Sequence, residues 1–324
     1  MTEILVTGPL PSAAAARLDG STAWFYPGPE TMPASELAGR AAHATGLLCF
    51  LGDRIDRRLI ANSPDLKVIS QVAVGVDNID LAAATGQGIP VGHTPDVLTD
   101  TTADTALALL LAVLRRLPEG WSLVREGRWK QWSLDLLIGG DLHHTTAGIV
   151  GLGRIGTAVG RRLQGFETAL IYTGPSPKPE VAEPLGAQYL SLSDLLARSD
   201  HVILTAPLRD STHHMIGAAE LALMKPGSTL INVARGGLVD TIALVEALRS
   251  GPLGRAGLDV TDPEPLPPGH PLAELDNCLV IPHLGSASER TRLAMANLAI
   301  DNLLAGMAGE RLFACANPEV YDGV

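Results

Sequence analysis

Short apolar runs that close on Gly, Asn, Asp or Pro recur along the chain in two series, with helical stretches between them. The first series comprises EILVTG (3–8), ATGLLCFLGD (44–53), LKVISQVAVGVDNID (66–80) and IPVGHTP (89–95), and PSAAAARLDG (11–20) reads as a short helix. From Thr99 the pattern changes, and residues 100–129 read as a long helix interrupted around Pro118 and Gly120. A second, clearer series follows in TAGIVGLG (146–153), TALIYTG (168–174), DHVILTAP (200–207), STLINVARG (228–236), AGLDV (256–260) and CLVIPH (278–283). Residues 286–310 turn helical again, and the chain closes in what reads as a loose tail. Apolar runs alternating with helices predict parallel strands covered by helices. The expected fold class is α/β with two doubly wound parallel-sheet domains. A discontinuous first domain (1–99 and 287–324) would hold a continuous second one (100–286), with 100–145 as a crossover segment and an active-site cleft between the two.

Composition narrows the function classes. Hydrophobic residues make up 46% but aromatics only 4%, so Ala, Leu, Val and Ile must pack the cores. A net charge of −11 argues against nucleic acid or an anionic membrane as partner, and a small anionic substrate would need a local positive site. Cys49, Cys278 and Cys315 match no metal-ligand spacing, so no metal is expected, and free thiols suit a reducing compartment. The N-terminus carries Glu3 and no basic run, unlike a signal peptide. The longest apolar run, TALALLLAVL (105–114), is too short to span a bilayer, which takes about 20 residues. The expected localisation is cytoplasmic.

GLGRIG places Gly151, Gly153 and Gly156 directly after a strand and at the start of a helix, the context in which this spacing binds dinucleotides. The first glycine makes the turn, the second lets backbone approach a pyrophosphate, and the third allows close helix–strand packing. The helix N-terminus then attracts phosphate through its N–H groups and dipole.

Ligands of open parallel sheets sit beyond the carboxyl ends of the strands. Arg235, Glu264 and His283 fall at such ends and together suit reduction of a 2-keto acid. Arg235 can fork onto a carboxylate and polarise the adjoining carbonyl. His283 as imidazolium can protonate the oxygen while hydride reaches carbon, and Glu264 can hold the other ring nitrogen.

GLGRIG, NVARGGLVD (232–240), GLDVTDPEPLPPGHPL (257–272) and IPHLGSAS (281–288), in this order and spacing, resemble the D-2-hydroxyacid dehydrogenase family. VAVGVDNIDL (72–81) and TADTALALLLA (102–112) extend the resemblance over nearly the whole chain, and HLGSA and NLLAGMAGE are similar to its glyoxylate/hydroxypyruvate reductase branch. The resemblance implies a Rossmann dinucleotide-binding domain inserted in a flavodoxin-like substrate domain, and a homodimer built on 100–145. It implies that Arg235 binds substrate, Glu264 orients the acid and His283 donates the proton. Amides around Val74 and Gly75 would take the substrate carboxylate, Leu51 would line the pocket, and Ser286 would lie near the substrate. Asp259 would bind the nicotinamide carboxamide. Arg154, Ile155, Ala206, Pro207, Val233, Ala234, His283 and Gly285 join the glycines as expected cofactor contacts. Trp132 would either reach the partner subunit's pocket and limit substrate size or serve as an ordinary interface aromatic. The chain has Leu136 where the branch often has an aromatic residue, which leaves the exact substrate open. A longer 2-keto acid such as a keto-sugar acid is the alternative, because pocket width depends on loops near Leu51, Gly75 and Trp132. A cofactor-sensing binding protein of the same fold is the alternative from another class.

About 20 residues past the glycines, where an acid would hold the adenosine ribose of NAD, the chain reads TGPSPKPE (173–180). Thr173 removes the charge that would repel a 2′-phosphate, and Ser176 and Lys178 supply a hydroxyl and a cation. NADPH is therefore the expected cofactor, with NADH possible.

Overall fold

A computed structural model of the chain describes residues 3–322. The chain divides into two compact units, one formed by residues 1–98 and 287–324 and the other by Thr99–Ser286. In the first unit, strands β1 (Ile4–Val6), β2 (Ala23–Phe25), β3 (Gly46–Cys49), β4 (Val68–Gln71) and β5 (Val91–Gly92) form one parallel sheet in the order β2-β1-β3-β4-β5. That is the flavodoxin-like order 2-1-3-4-5. In the second unit, β6 (Thr146–Val150), β7 (Ala169–Thr173), β8 (Gln188–Tyr189), β9 (His201–Leu204), β10 (Thr229–Asn232), β11 (Arg255–Leu258) and β12 (Cys278–Val280) form a seven-stranded sheet ordered β12-β11-β10-β9-β6-β7-β8. Numbered within the unit this is 3-2-1-4-5-6, the Rossmann order, plus one further strand.

The apolar runs are continuous because both faces of each sheet are covered. Successive residues feed opposite cores: Ile149, Ile203 and Ile231 enter one cluster, while Val150, Val202, Leu204 and Leu230 enter the other. In the first unit Leu5, Leu47 and Ile69 point to one side, and Ile4, Val6, Leu48 and Val68 to the other. Each such side chain, fully buried, contributes about 1.5–3 kcal/mol relative to exposure.

Two segments differ from the sequence expectation. The break in the long helical stretch falls at Arg115–Arg116, between helices Thr99–Leu114 and Leu117–Arg125, and Arg116 is left-handed (φ 53°). Pro118 lies in the first turn of the second helix, where a missing N–H costs nothing, so it does not interrupt anything. The C-terminal tail is pinned rather than loose. Asn317 is fully buried; it accepts from Val91 N (2.8 Å) and donates to Thr85 Oγ1 (2.9 Å) and Ile89 O (3.1 Å). The helix Glu289–Met307 runs back onto the first sheet, where Ser70 Oγ donates to the Ala299 carbonyl (2.7 Å).

Candidate active site

The carboxyl ends of β6 and β9 flank the point where the second sheet reverses its strand order. Gly151 turns the chain there with φ +97°, and a Cβ on it would lie 2.8 Å from the Ala206 backbone, so only glycine fits. A Cβ on Gly156 would collide with the Gly151 carbonyl and stand 2.8 Å from Thr205 Oγ1, which fixes how closely helix Arg154–Gln164 approaches the turn. Gly153 is different, because a Cβ there would meet nothing within 4 Å. The protein's own packing does not require glycine at 153, and the backbone there stands open to approach. Gly153 caps the helix without any side chain, and Arg154 is exposed beside Ile155 in its first turn. A cradle of this kind suits a dinucleotide phosphate.

The loop after β7 borders the same turn. Thr173 is buried, and its carbonyl accepts from Gly151 N (2.9 Å). Ser176 is exposed. Lys178 is anchored at both ends: its N–H donates to Tyr172 Oη (2.8 Å), and its Nζ donates to the Leu152 carbonyl inside the glycine turn (3.2 Å). The cation therefore stands at the turn rather than out in solvent.

Along the same edge, Ala206 and Pro207 follow β9, Val233 and Ala234 follow β10, and Asp259 follows β11. Arg235 extends from the β10 end. Its carbonyl accepts from Asn232 Nδ2 (2.8 Å), while Asn232 Oδ1 accepts from Ala234 N (3.0 Å). A Cβ on Gly236 would run into Thr261, which brings the β10 and β11 loops together. His283 Nδ1 donates to Glu264 Oε1 at 2.6 Å. Burial alone would raise the Glu264 carboxyl, but the hydrogen bond and charge of His283, the Thr261 amide and the Arg235 charge together hold it below the ordinary carboxylate value.

His283 is left-handed (φ 53°), a strained choice for histidine, and the strain is held from below. Buried Asp259 accepts from Leu284 N (2.5 Å) and Gly285 N (2.9 Å), and its carbonyl accepts from His283 N (2.9 Å). A Cβ on Gly285 would lie 2.7 Å from Asp259 Oδ2, so glycine is needed for this grip. Burial raises the Asp259 carboxyl, against the amides of Leu284 and Gly285 and the charge of His283, which lower it. Ser286 ends the same loop, buried.

The first unit carries the remaining expected residues at the carboxyl ends of its own sheet: Leu51 after β3, Val74 and Gly75 after β4. A polar network that the sequence did not reveal supports their loops. Cys49 Sγ donates to Gln71 Oε1 (3.0 Å), Gln71 Nε2 to Asn78 Oδ1 (2.7 Å), and Asn78 Nδ2 to the carbonyls of Phe50 (3.1 Å) and Asp53 (2.7 Å). His93 Nδ1 donates to the Val74 carbonyl (2.9 Å). Asn232 was likewise missed. Its one visible signal is its place in NVARGG, three positions before the arginine.

Comparison with known proteins agrees with this arrangement. The model of the D-isomer specific 2-hydroxyacid dehydrogenase NAD-binding domain matches residues 107–285. Human glyoxylate reductase/hydroxypyruvate reductase is 44% identical over 315 residues, 96% of each chain. The chain belongs to the D-isomer specific 2-hydroxyacid dehydrogenase family. A crystal structure of a Thermus thermophilus protein superposes with a TM-score of 0.91 at 48% identity, covering 97% of this chain and 99% of that one. The NADPH-dependent glyoxylate/hydroxypyruvate reductase of Sinorhizobium meliloti, solved with NADP and malonate, gives a TM-score of 0.88 at 34% identity, covering 98% of this chain and 97% of its own.

In this dehydrogenase Trp132 is 75% exposed. It belongs to a stretch in which Leu117, Trp121, Val124, Trp129, Trp132, Leu134, Leu136 and Ile138 are all exposed in the single chain. Of the described residues, no helix is long and apolar enough to cross a membrane.

Proposed function

We propose that this dehydrogenase reduces glyoxylate to glycolate and hydroxypyruvate to D-glycerate with NADPH in preference to NADH. The observation that carries the reading is the His283–Glu264 pair at 2.6 Å on the same strand-end edge as Arg235 and the glycine turn. The glycine turn, the helix N-terminus after it and Asp259 fit a nicotinamide dinucleotide, whose reduced ring supplies a hydride when bound. Arg235 binds the substrate carboxylate and draws electron density from the adjoining carbonyl. His283 delivers a proton from Nε2 to the carbonyl oxygen, while Glu264 on Nδ1 stabilises the charged ring that donates it. Proton and hydride together convert the C=O to CH–OH, which leaves the imidazole neutral and the cofactor oxidised.

The cofactor contacts we assign are Gly151, Gly153, Arg154, Ile155, Gly156, Thr173, Ser176, Lys178, Ala206, Pro207, Val233, Ala234, Asp259, His283 and Gly285. To substrate we assign Arg235 and Ser286 from the second unit, and Leu51, Val74 and Gly75 from the first. The NADPH preference is supported by an uncharged residue at 173 and by Lys178 held against the glycine turn. A homodimer is supported by the apolar stretch 117–138, since a monomer rarely leaves so many large apolar side chains together in water. Trp132 is then an interface residue that also bounds the partner subunit's pocket. Three free cysteines fit the cytoplasm.

A panel of 2-keto acids assayed with each cofactor tests the reading. Glyoxylate and hydroxypyruvate with NADPH should give the highest kcat/KM. A longer keto acid winning the panel overturns the substrate, and NADH winning overturns the cofactor.

A further inference from the structure

His213 and His214 lie in a turn after β9 that places their two rings side by side. His214 is left-handed (φ 51°), and the two imidazoles lie stacked, with centroids 3.9 Å apart and planes inclined by 24°. Both backbones are fixed: His213 N donates to the Arg209 carbonyl (2.9 Å) and His214 N to the Gly237 carbonyl (2.8 Å). Thr212 Oγ1 braces the same turn through the Pro207 carbonyl (2.8 Å). Facing the rings is Asp262, in the loop after β11, whose carbonyl accepts from Thr241 Oγ1 (2.6 Å). One ligand atom from each of the three side chains falls within 4.8 Å of the others.

We propose that His213, His214 and Asp262 bind one divalent transition-metal ion of the zinc, cobalt or nickel type, with water completing the shell. Two imidazole nitrogens and one carboxylate oxygen suit these borderline ions and not calcium or magnesium, which take mainly oxygen ligands. Donors around a tetrahedral zinc stand about 3.3 Å apart, given bonds of about 2.0–2.1 Å. All three side chains are exposed, so the imidazoles can turn out of their stack to aim one nitrogen each at a shared ion. The ion ties the loop after β9 to the loop after β11, two residues from Glu264. The residues of this site lie 48 positions apart in sequence, between His214 and Asp262, so no spacing motif announces it. It is independent of the reduction chemistry proposed above.

Chelator-treated, tag-free, full-length protein titrated calorimetrically with zinc alone should take up one ion per chain. Cobalt(II) alone should develop the absorption of a nitrogen- and oxygen-ligated ion. His213→Ala and Asp262→Asn should each weaken uptake by about 10–100-fold, at least the loss seen when supporting groups around a metal are removed. A second histidine pair, His143 and His144 beside Asp141 and Glu167, provides the control. Its rings sit edge to face at 88°, and the double variant His143→Ala/His144→Ala should bind as wild type does. Absence of saturable uptake by the wild type overturns the proposal. So does uptake that survives His213→Ala and Asp262→Asn or vanishes in the His143/His144 variant.

Discussion

Both units are doubly wound parallel sheets, and each reverses its strand order beside its first strand, β1 next to β3 in one and β6 next to β9 in the other. The two reversal points are built in opposite ways. At β6 the chain leaves through Gly151 and Gly153 into an eleven-residue helix whose first turn no side chain caps. At β1 it leaves through buried Thr7 into a four-residue helix preceded by Pro11, which has no N–H to offer. Thr7 donates its hydroxyl to Asp53, and Asp53 also accepts from Phe50 N (2.8 Å). A carboxylate of the chain itself thus fills the place where the other unit has open backbone, and it would repel a phosphate. Two sheets of different strand order share this kind of reversal point, yet one leaves its turn open and the other plugs it, and the difference lies in a handful of turn residues.

Substitutions at the open edge should act on chemistry and those at the plug on stability. The largest effect is expected from His283→Ala, which removes the proton donor and should lower kcat by about 10²–10⁴-fold. Arg235→Lys keeps the charge but loses the fork. It should lower kcat/KM by roughly ten- to a hundred-fold, the equivalent of about 1.5–3 kcal/mol for a hydrogen bond to a charged group. A kinetically normal Arg235→Lys would make Arg235 structural. Asp53→Ala should do the reverse of both: leaving the Thr7 hydroxyl and Phe50 N–H without their acceptor should cost about 1–3 kcal/mol in denaturant unfolding. NADPH affinity should be unaffected, and a loss of it would break the contrast between the two units.

A smaller effect concerns pH. Because its neighbours hold the Glu264 carboxyl below the ordinary value of about 4.3, it stays ionised at neutral and mildly acidic pH. The carboxylate therefore pairs with His283 throughout that range and is lost only on stronger acidification. Glu264→Gln removes this titrating group, so the acid limb of the reduction profile should flatten. An unchanged profile would take Glu264 out of the pair.

Much of this was legible in the chain because the signals were local. Ile149, Val150 and their counterparts form unbroken apolar runs, since both sheet faces are buried, and GLGRIG sits between a strand and a helix in plain view. Strands β2 and β8 left no comparable mark: Ala23–Phe25 is only half-buried, and Gln188–Tyr189 is exposed at the sheet edge. The helix break escaped because Pro118 is a stronger sequence sign than Arg116, whose left-handed backbone has no signature. Asn317 looked like tail because its partners Thr85, Ile89 and Val91 lie more than 220 positions earlier. Asp53 and Asn78 went unnoticed because their work depends on which loops the sheet brings together, and Asn232 because its bonds to Ala234 and Arg235 follow from the local turn rather than from a residue signature.

Gly153 tests the central contrast most directly. A methyl group there meets no protein atom and the backbone angle (φ −92°) accepts alanine, so Gly153→Ala should leave thermal unfolding unchanged. Fluorescence titration with NADPH, without substrate, should show one saturable site per chain in the wild type and affinity at least about ten-fold weaker in the variant, for the loss of one charge-assisted contact. Equal affinity in the two proteins would mean that the open turn is not where the cofactor binds.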